Sequence, residues 1–442
     1  MRLFGERSPS VHGLRRRVAI AAVVVAALLA TTVASFADAS AAGGSRNARV
    51  ITDWNKIAVD MIVADSTIGG TARAFNYYAY EQAAVYNAVV GITRRYQLYQ
   101  WSRLGPRSAS PAAAAVAAAR GVLLHYFPGS AGTLQTAYNA SIAQLPPGLG
   151  RRQGIAYGEL AAANIIDLRA NDGLQDTSVT FTLGSGPGAW VPQPGQTFLA
   201  PWLSQVRPFT LISTSQFDPG PPFALTSPAY TTQFNEVKAK GGTAAGSRTL
   251  LETETARFFF DIPIVPLQGG LRDLATRHHL DISDSARMFA AVDLSIADTI
   301  GTVWKSKVLY GFWRPITAIR NAGTDGNDDT IADGSWTPVM PTPPYPDWVA
   351  GLPSVMGATG RALHRIIGSD IDLKLTSPGS APAGPANVPI TRTYHSAAVL
   401  NADVINARVW SGIHFRSSDV LGNGIGVSVA NWALDHNFGR SQ

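Results

Sequence analysis

Beyond residue 50 the chain is written at helical spacing, and this limits the fold more than any other feature. Residues 71–91 set alanine and aromatic side chains three and four positions apart, the repeat that gathers apolar groups on one face of a helix. Pro111 opens an alanine-rich run that reaches Tyr126, and Pro128-Gly129 stops it. The same pattern predicts helices over 131–144, 152–171, 227–240, 247–260, 283–320 and 350–367. Another runs from 396 to about Gly412, and a last one follows Ser417-Ser418-Asp419, any of which would cap it. Gly422, Gly424 and Gly426 weaken that last helix but suit close approach by a neighbour. Residues 183–226, dense in Gly, Pro, Gln and Trp, are too long for a structureless connector and read as a wrapping or functional segment. Residues 321–348 and 370–391 read as loops, and there is no repeat at solenoid periods. The expected fold is all-α.

The chain has 442 residues and no cysteine. That excludes thiol nucleophiles, Cys-bound zinc, haem-thiolate and iron–sulfur chemistry. Residues 1–41 read as an export signal: Arg15-Arg16-Arg17, an apolar run from Val18 to Ala30, then A-x-A sites at Ala37–Ala39 and Ala39–Ala41. The run is short for the roughly 20 residues that span a membrane, so cleavage is expected rather than a stable anchor. The Arg cluster leaves the twin-arginine route open beside the general secretory one. Without disulfides an exported chain depends on packing alone. The signal holds five Arg against Glu6 and Asp38, about half of the +6 net charge of the chain. The remainder is too mild and dispersed for a nucleic-acid surface.

Two stretches carry chemistry. In Lys307-Val-Leu-Tyr-Gly-Phe-Trp-Arg314-Pro315 the cations are seven residues apart, which puts them on one face of a single helix. In Arg408-Val-Trp-Ser-Gly412-Ile-His414 the spacing is six, which no unbroken helix can aim at one point. Gly412 therefore predicts a helix end, with His414 on the following turn. Three permanent cations and an imidazole, if they converge, form a site for a tetrahedral oxyanion.

This pattern resembles the vanadium-dependent haloperoxidases and their relatives, the type 2 phosphatidic acid phosphatases. Their K-x6-R-P motif matches Lys307, Arg314 and Pro315, and their S-R-x5-H matches Arg408 and His414, with Ala407 in place of Ser. The P-S-G-H stretch aligns with Pro344–Ser354, where Ala350 replaces Ser and Leu352 replaces the acid–base His. Trp54-Asn55, Ala72-Arg73-Ala74 and Pro201-Trp202…Arg207-Pro208-Phe209 look like the bacterial branch. The resemblance implies two helical bundles: residues 42–240 with the connector, then 241–442 carrying the oxyanion site. It implies that Lys307, Arg314, Arg408 and the Gly351 N–H hold vanadate, with His414 as the metal ligand. Phosphate fits the same pocket. Trp304, Tyr345 and Leu352 would line a halide or substrate pocket.

The implied activity is halide oxidation by hydrogen peroxide, with an organic acceptor. The alternatives are a phosphoester hydrolase with His414 as nucleophile, and a non-catalytic oxyanion-binding protein. With Leu352 unable to carry a proton, the substitutes in view are Ser354, Tyr345, water and, by sequence proximity, His395. Asp298 is a candidate to orient one of the cations. Phe312 and Trp313 read equally well as pocket wall or packing. The Asp325–Asp329 run fails the calcium-loop pattern, because Thr330 and Trp336 stand at its glycine and glutamate positions, and reads as a polar turn.

Overall fold

Local chemistry sets the helix boundaries. In the computed structural model Ser110 caps α3 (Pro111–Tyr126), its side chain accepting from the Ala113 N–H, and Pro111 occupies the first turn. Asp281 caps α9 (Ile282–Tyr310) by accepting from Ser283 and Asp284. Gly311, in the left-handed region at φ +49, ends α9. The structure describes residues 47–441 apart from 69–70, 245, 261–263 and 380–387, so the expected signal at 1–41 lies outside the described residues. The other helices are α1 (47–64), α2 (Ala74–Thr93), α4 (Ala131–Ala143), α5 (Leu149–Arg169) and α6 (Pro228–Gly241). They continue with α7 (Leu250–Phe260), α8 (Val265–Arg277), α10 (Pro315–Arg320), α11 (Gly351–Ile366), α12 (Ala397–Trp410) and α13 (Arg416–His436). Among the described residues no helix is long and apolar enough to cross a membrane.

Four local expectations are corrected. The 283–320 helix is two helices, because Gly311 turns the chain out of α9 before Pro315 starts α10. The loop at 370–391 contains a hairpin, β1 (Leu373–Ser377) paired antiparallel with β2 (Ile390–Tyr394), with Leu373 opposite Tyr394. Its alternating burial was hidden by short length and polar outward residues. Helix α8 was missed because Gly269-Gly270 break its pattern; Gly270 is needed where the helix crosses the Lys374 carbonyl. The N-cap of α13 is Phe415, not one of Ser417–Asp419, and no side chain caps it.

Helix α9 is the axis of the molecule. Most of its residues from Ser283 to Lys307 are buried. It packs on α2 from the first half of the chain and on α11 and α13 from the second, within one compact unit spanning Ala48–Gln442. Helices α11 and α13 cross closely at glycines. A Cβ at Gly426 would overlap the Ser354 carbonyl oxygen, and one at Gly422 would lie 2.6 Å from the Ala350 oxygen. Gly424 faces open space. The 183–226 connector is pinned to α9 by Asp298, whose carboxylate accepts from Phe209 N (2.6 Å), Thr210 N (2.7 Å), Thr210 Oγ1 (2.6 Å) and Leu211 N (3.2 Å).

A polar chain is buried where α1, α2, α8 and α9 meet. Arg272 donates to Asn55 (2.7 Å), Asn55 to Gln268 (2.8 Å), and Gln268 to Asp293 Oδ1 (2.6 Å). Asp293 Oδ2 and Glu81 Oε1 have no partner among the described residues. Burial raises the Asp293 carboxyl to about 7 and, together with Asp293, holds Glu81 well above the usual range.

Two predictions follow from this packing. Gly426→Ala forces α13 off α11 and should cost about 1–3 kcal/mol in urea unfolding, or more if the backbone cannot yield. For Asp293 the folded protein keeps a proton that the unfolded chain releases near pH 4, so its contribution is full below that pH and is lost as pH rises to about 7. Asp293→Asn mimics the protonated form. Its Tm should match the parent near pH 4 and exceed it by several degrees at pH 7.

Candidate oxyanion site

Four chain segments meet at one buried point. Lys307 lies in the last turn of α9, fully buried, with Nζ donating to the carbonyls of Pro346 (2.7 Å) and Asp347 (3.0 Å). Arg314 does not share that helix. It is the N-cap of α10, and the Gly311 turn brings it back beside Lys307. Its Nε donates to the Tyr345 carbonyl (2.8 Å) and its Nη1 to the Ile413 carbonyl (2.6 Å). Arg408 is in the last turn of α12, and the helix ends at Trp410 as the Gly412 signal requires. Gly412 has φ +76, and a Cβ there would strike the Gly241 carbonyl at the end of α6. His414 follows on the turn.

Hydrogen bonds define the state of His414. Its Nδ1 lies 2.8 Å from Asp347 Oδ1 and its Nε2 lies 3.0 Å from Arg314 Nη1. A carboxylate accepts and a guanidinium donates, so Nδ1 carries the proton and Nε2 presents its lone pair. Burial, then Arg314, Arg408 and Lys307, hold the imidazole well below its usual pKa, so it is neutral at physiological pH. Burial and Arg314 push Lys307 well down, while Asp347 opposes this. Burial raises Asp347 to about 6, against the pull of Arg314 and Lys307. Asp419, on α13, is buried and held well above the carboxylate range by burial and by Asp347, with neither oxygen hydrogen-bonded.

Charge is therefore out of balance. At neutral pH two guanidiniums face one ionised carboxylate, Asp347. Arg314 Nη2 and Arg408 Nε are buried without partners, and the Arg408 side chain makes no hydrogen bond or ion pair to any described residue. Beside them is the N-terminus of α11. Its N-cap, Ala350, offers no side-chain cap, so the first N–H groups are left for another acceptor. At Gly351 an added Cβ would touch only Trp304, at 3.9 Å, so the packing of the chain does not demand glycine; the space is left open.

The site opens on a cavity of about 440 Å³ whose floor includes Arg408, His414 and Gly351. Trp304, Tyr345, Leu352, Phe75, Ile300 and Val355 contribute to its walls. Trp304 and Tyr345 are in ring contact at 5.2 Å, and Lys307 and Arg314 each lie 5.0 Å from the Tyr345 ring centre. The structure thus gathers all eight sequence candidates, Lys307, Arg314, Arg408, His414, Gly351, Trp304, Tyr345 and Leu352, around one point.

Other candidates fall away. His395 is exposed and bound to Asp370 (3.0 Å), remote from the cavity lining. Ser354 is buried on the Ala350 carbonyl (2.5 Å). Asp298 is committed to the connector and makes no hydrogen bond to the three cations. Phe312 and Trp313 pack in the core. Asp325 forms the expected turn, accepting from Asn327 N (2.9 Å) and Thr330 Oγ1 (2.7 Å). Asp347 is the residue that sequence reasoning passed over. The only available signal was a lone acid among Pro and aromatic residues in Tyr345-Pro-Asp347-Trp348.

Asp347 is also where the site can be tested without turnover. Asp347→Asn keeps an acceptor for the His414 Nδ1–H but removes the buried negative charge. The variant should lose about 3–5 kcal/mol of stability in urea unfolding. Inorganic phosphate should recover more of the loss in the variant than it adds to the parent, because the anion supplies the missing charge.

Comparison with known proteins bears on the fold that carries this site. Residues 287–439 match the VCPO second helical-bundle domain. Vanadium chloroperoxidase of Curvularia inaequalis is 24% identical over 194 residues, which cover 35% of this chain and 32% of that protein. The match thus spans about a third of the length of that relative. The crystal structure described as the first bacterial vanadium-dependent iodoperoxidase superimposes with a TM-score of 0.73 at 22% identity, covering 88% of this chain and 98% of the other. The holo-type bacterial vanadium-dependent chloroperoxidase gives a TM-score of 0.66 at 17% identity, covering 86% and 92%. Residues 287–439 therefore carry the second helical-bundle domain of the VCPO type, on a chain with the fold of the bacterial vanadium haloperoxidases.

Proposed function

We propose that the chain binds orthovanadate at His414 and uses hydrogen peroxide to oxidise halide. The observation that carries this reading is the charge imbalance of the buried set: unpartnered guanidinium nitrogens, an uncapped helix N-terminus and an imidazole lone pair at the floor of one cavity. These donors fit a tetrahedral oxyanion. Lys307, Arg314, Arg408 and the Gly351 N–H would hold its oxygens, and His414 Nε2 would bind the metal. Bound vanadate supplies a Lewis acid that polarises the peroxide O–O bond without a change of oxidation state.

The residues do the rest. The cations withdraw negative charge in a site shielded from water, where such stabilisation is strongest. Asp347 holds the His414 tautomer that leaves Nε2 bare. The walls around Trp304 and Leu352 leave room for a polarisable halide and an apolar acceptor. Per turnover halide loses two electrons, peroxide gains them, one proton is consumed, and hypohalous acid and water result. In this reading residues 241–442 form the unit that carries the site, and residues 1–41 direct export.

The Asp347–His414 pair also favours a second reading, phosphoester hydrolysis with Nε2 as nucleophile. Two assays separate them. Orthovanadate at about a hundred times its Kd should add about 2.7 kcal/mol of stability, and His414→Ala should remove most of that gain. Under the first reading the parent oxidises halide only with vanadate and peroxide, and Leu352→His raises kcat. Turnover of p-nitrophenyl phosphate without halide oxidation would replace it with the second. Absence of vanadate binding would overturn both.

A further inference from the structure

We propose that Tyr345 is the proton donor of this site, in place of the imidazole that Leu352 lacks; this rests on the haloperoxidase reading above. Halide oxidation consumes a proton at the departing oxygen, so some acid must reach the cavity. Among the described residues lining it, only Tyr345, Arg408 and His414 carry ionisable groups. Arg408 keeps its protons at any relevant pH. The single proton of His414 is on Nδ1, turned away toward Asp347. Asp347 and Asp419 lie behind the floor rather than in the lining. The phenol remains.

Its placement suits the task. The Tyr345 carbonyl accepts from Arg314 Nε at 2.8 Å, which fixes the residue against the cation cluster. Its ring rests against Lys307 and Arg314, and its hydroxyl acts electrostatically on both Arg314 and Arg408. Leu352 lines the same cavity.

In the step itself the halide attacks one peroxide oxygen. The halogen–oxygen bond forms as the O–O bond breaks, and the two electrons pass from halide to peroxide. The departing oxygen takes the proton of Tyr345 Oη and leaves at the oxidation level of water. Water entering the cavity returns a proton to the phenolate, so each cycle takes up one proton.

Tyr345→Phe tests this, because it keeps the ring and its cation contacts and removes only the hydroxyl. Orthovanadate binding, measured by calorimetry, should weaken by no more than about a hundredfold, the loss of one hydrogen bond to a charged acceptor. Halide oxidation by the vanadate-loaded variant should fall by about 10²–10⁴-fold in kcat. Adding Leu352→His to Tyr345→Phe should restore at least tenfold, which a structural role for Tyr345 would not produce. If Tyr345→Phe binds vanadate and retains half or more of the parent kcat, the proposal is overturned while the haloperoxidase reading stands. If the parent itself shows no vanadate-dependent oxidation, that reading fails and the proposal with it. Tyr345→Trp, scored on vanadate binding and kcat together, serves should the Phe variant fail to fold; retention of activity would again overturn the proposal.

Discussion

Burying the basic side chains of Lys307, Arg314 and Arg408 within one small volume is costly, and much of the surrounding structure is arranged to make it tolerable. Each charge taken from water carries a penalty of several kcal/mol that only local donors and acceptors can offset. Lys307 and Arg314 meet it with the carbonyls of Tyr345, Pro346, Asp347 and Ile413. Those carbonyls are in turn held by their own neighbours: Asp347 N donates to the Phe312 carbonyl (2.9 Å), and Ser418 Oγ to the Asp347 carbonyl (3.0 Å). Arg408 alone is left without such partners. The fold thus solvates two cations with backbone and leaves the third facing the cavity, which is the polarity an anion-binding floor requires.

The route from sequence to site runs through helix ends rather than helix faces. Lys307 sits at the end of α9, Arg314 at the start of α10, Arg408 at the end of α12, and Gly351 in the first turn of α11. A helix end places a side chain and exposes unpaired backbone groups together. Two glycines, Gly311 and Gly412, set the turns that let these ends converge. The close glycine crossing of α11 and α13 then keeps the floor from spreading.

How much of this was legible beforehand differs by feature. The helical class, most helix positions and the set of Lys307, Arg314, Arg408 and His414 could be read from spacing, because apolar periodicity and charged residues at fixed intervals are local patterns; Gly351, Trp304, Tyr345 and Leu352 were legible only through the family resemblance. The break between Lys307 and Arg314 was also written locally, in Gly311, but a seven-residue spacing suggested continuity more strongly. Asp347 was not legible: its role depends on a partner 67 positions away. Asp298 illustrates the opposite error. Its position on α9 suggested service to the cations, yet its partners are backbone amides of the connector, which no periodicity encodes. The hairpin of β1 and β2 is too short and too polar outward to announce itself.

The contact between Arg314 Nη1 and His414 Nε2 has a consequence for metal selectivity. Neutral imidazole is a favoured ligand for divalent zinc, copper and nickel. Here Arg314 Nη1 lies against the ring, 3.0 Å from Nε2 and 3.4 Å from Nδ1, and the surrounding guanidiniums repel any approaching cation. A metal can reach His414 only as part of an anion. The resting site thereby discriminates by the sign of the complex and not by the element.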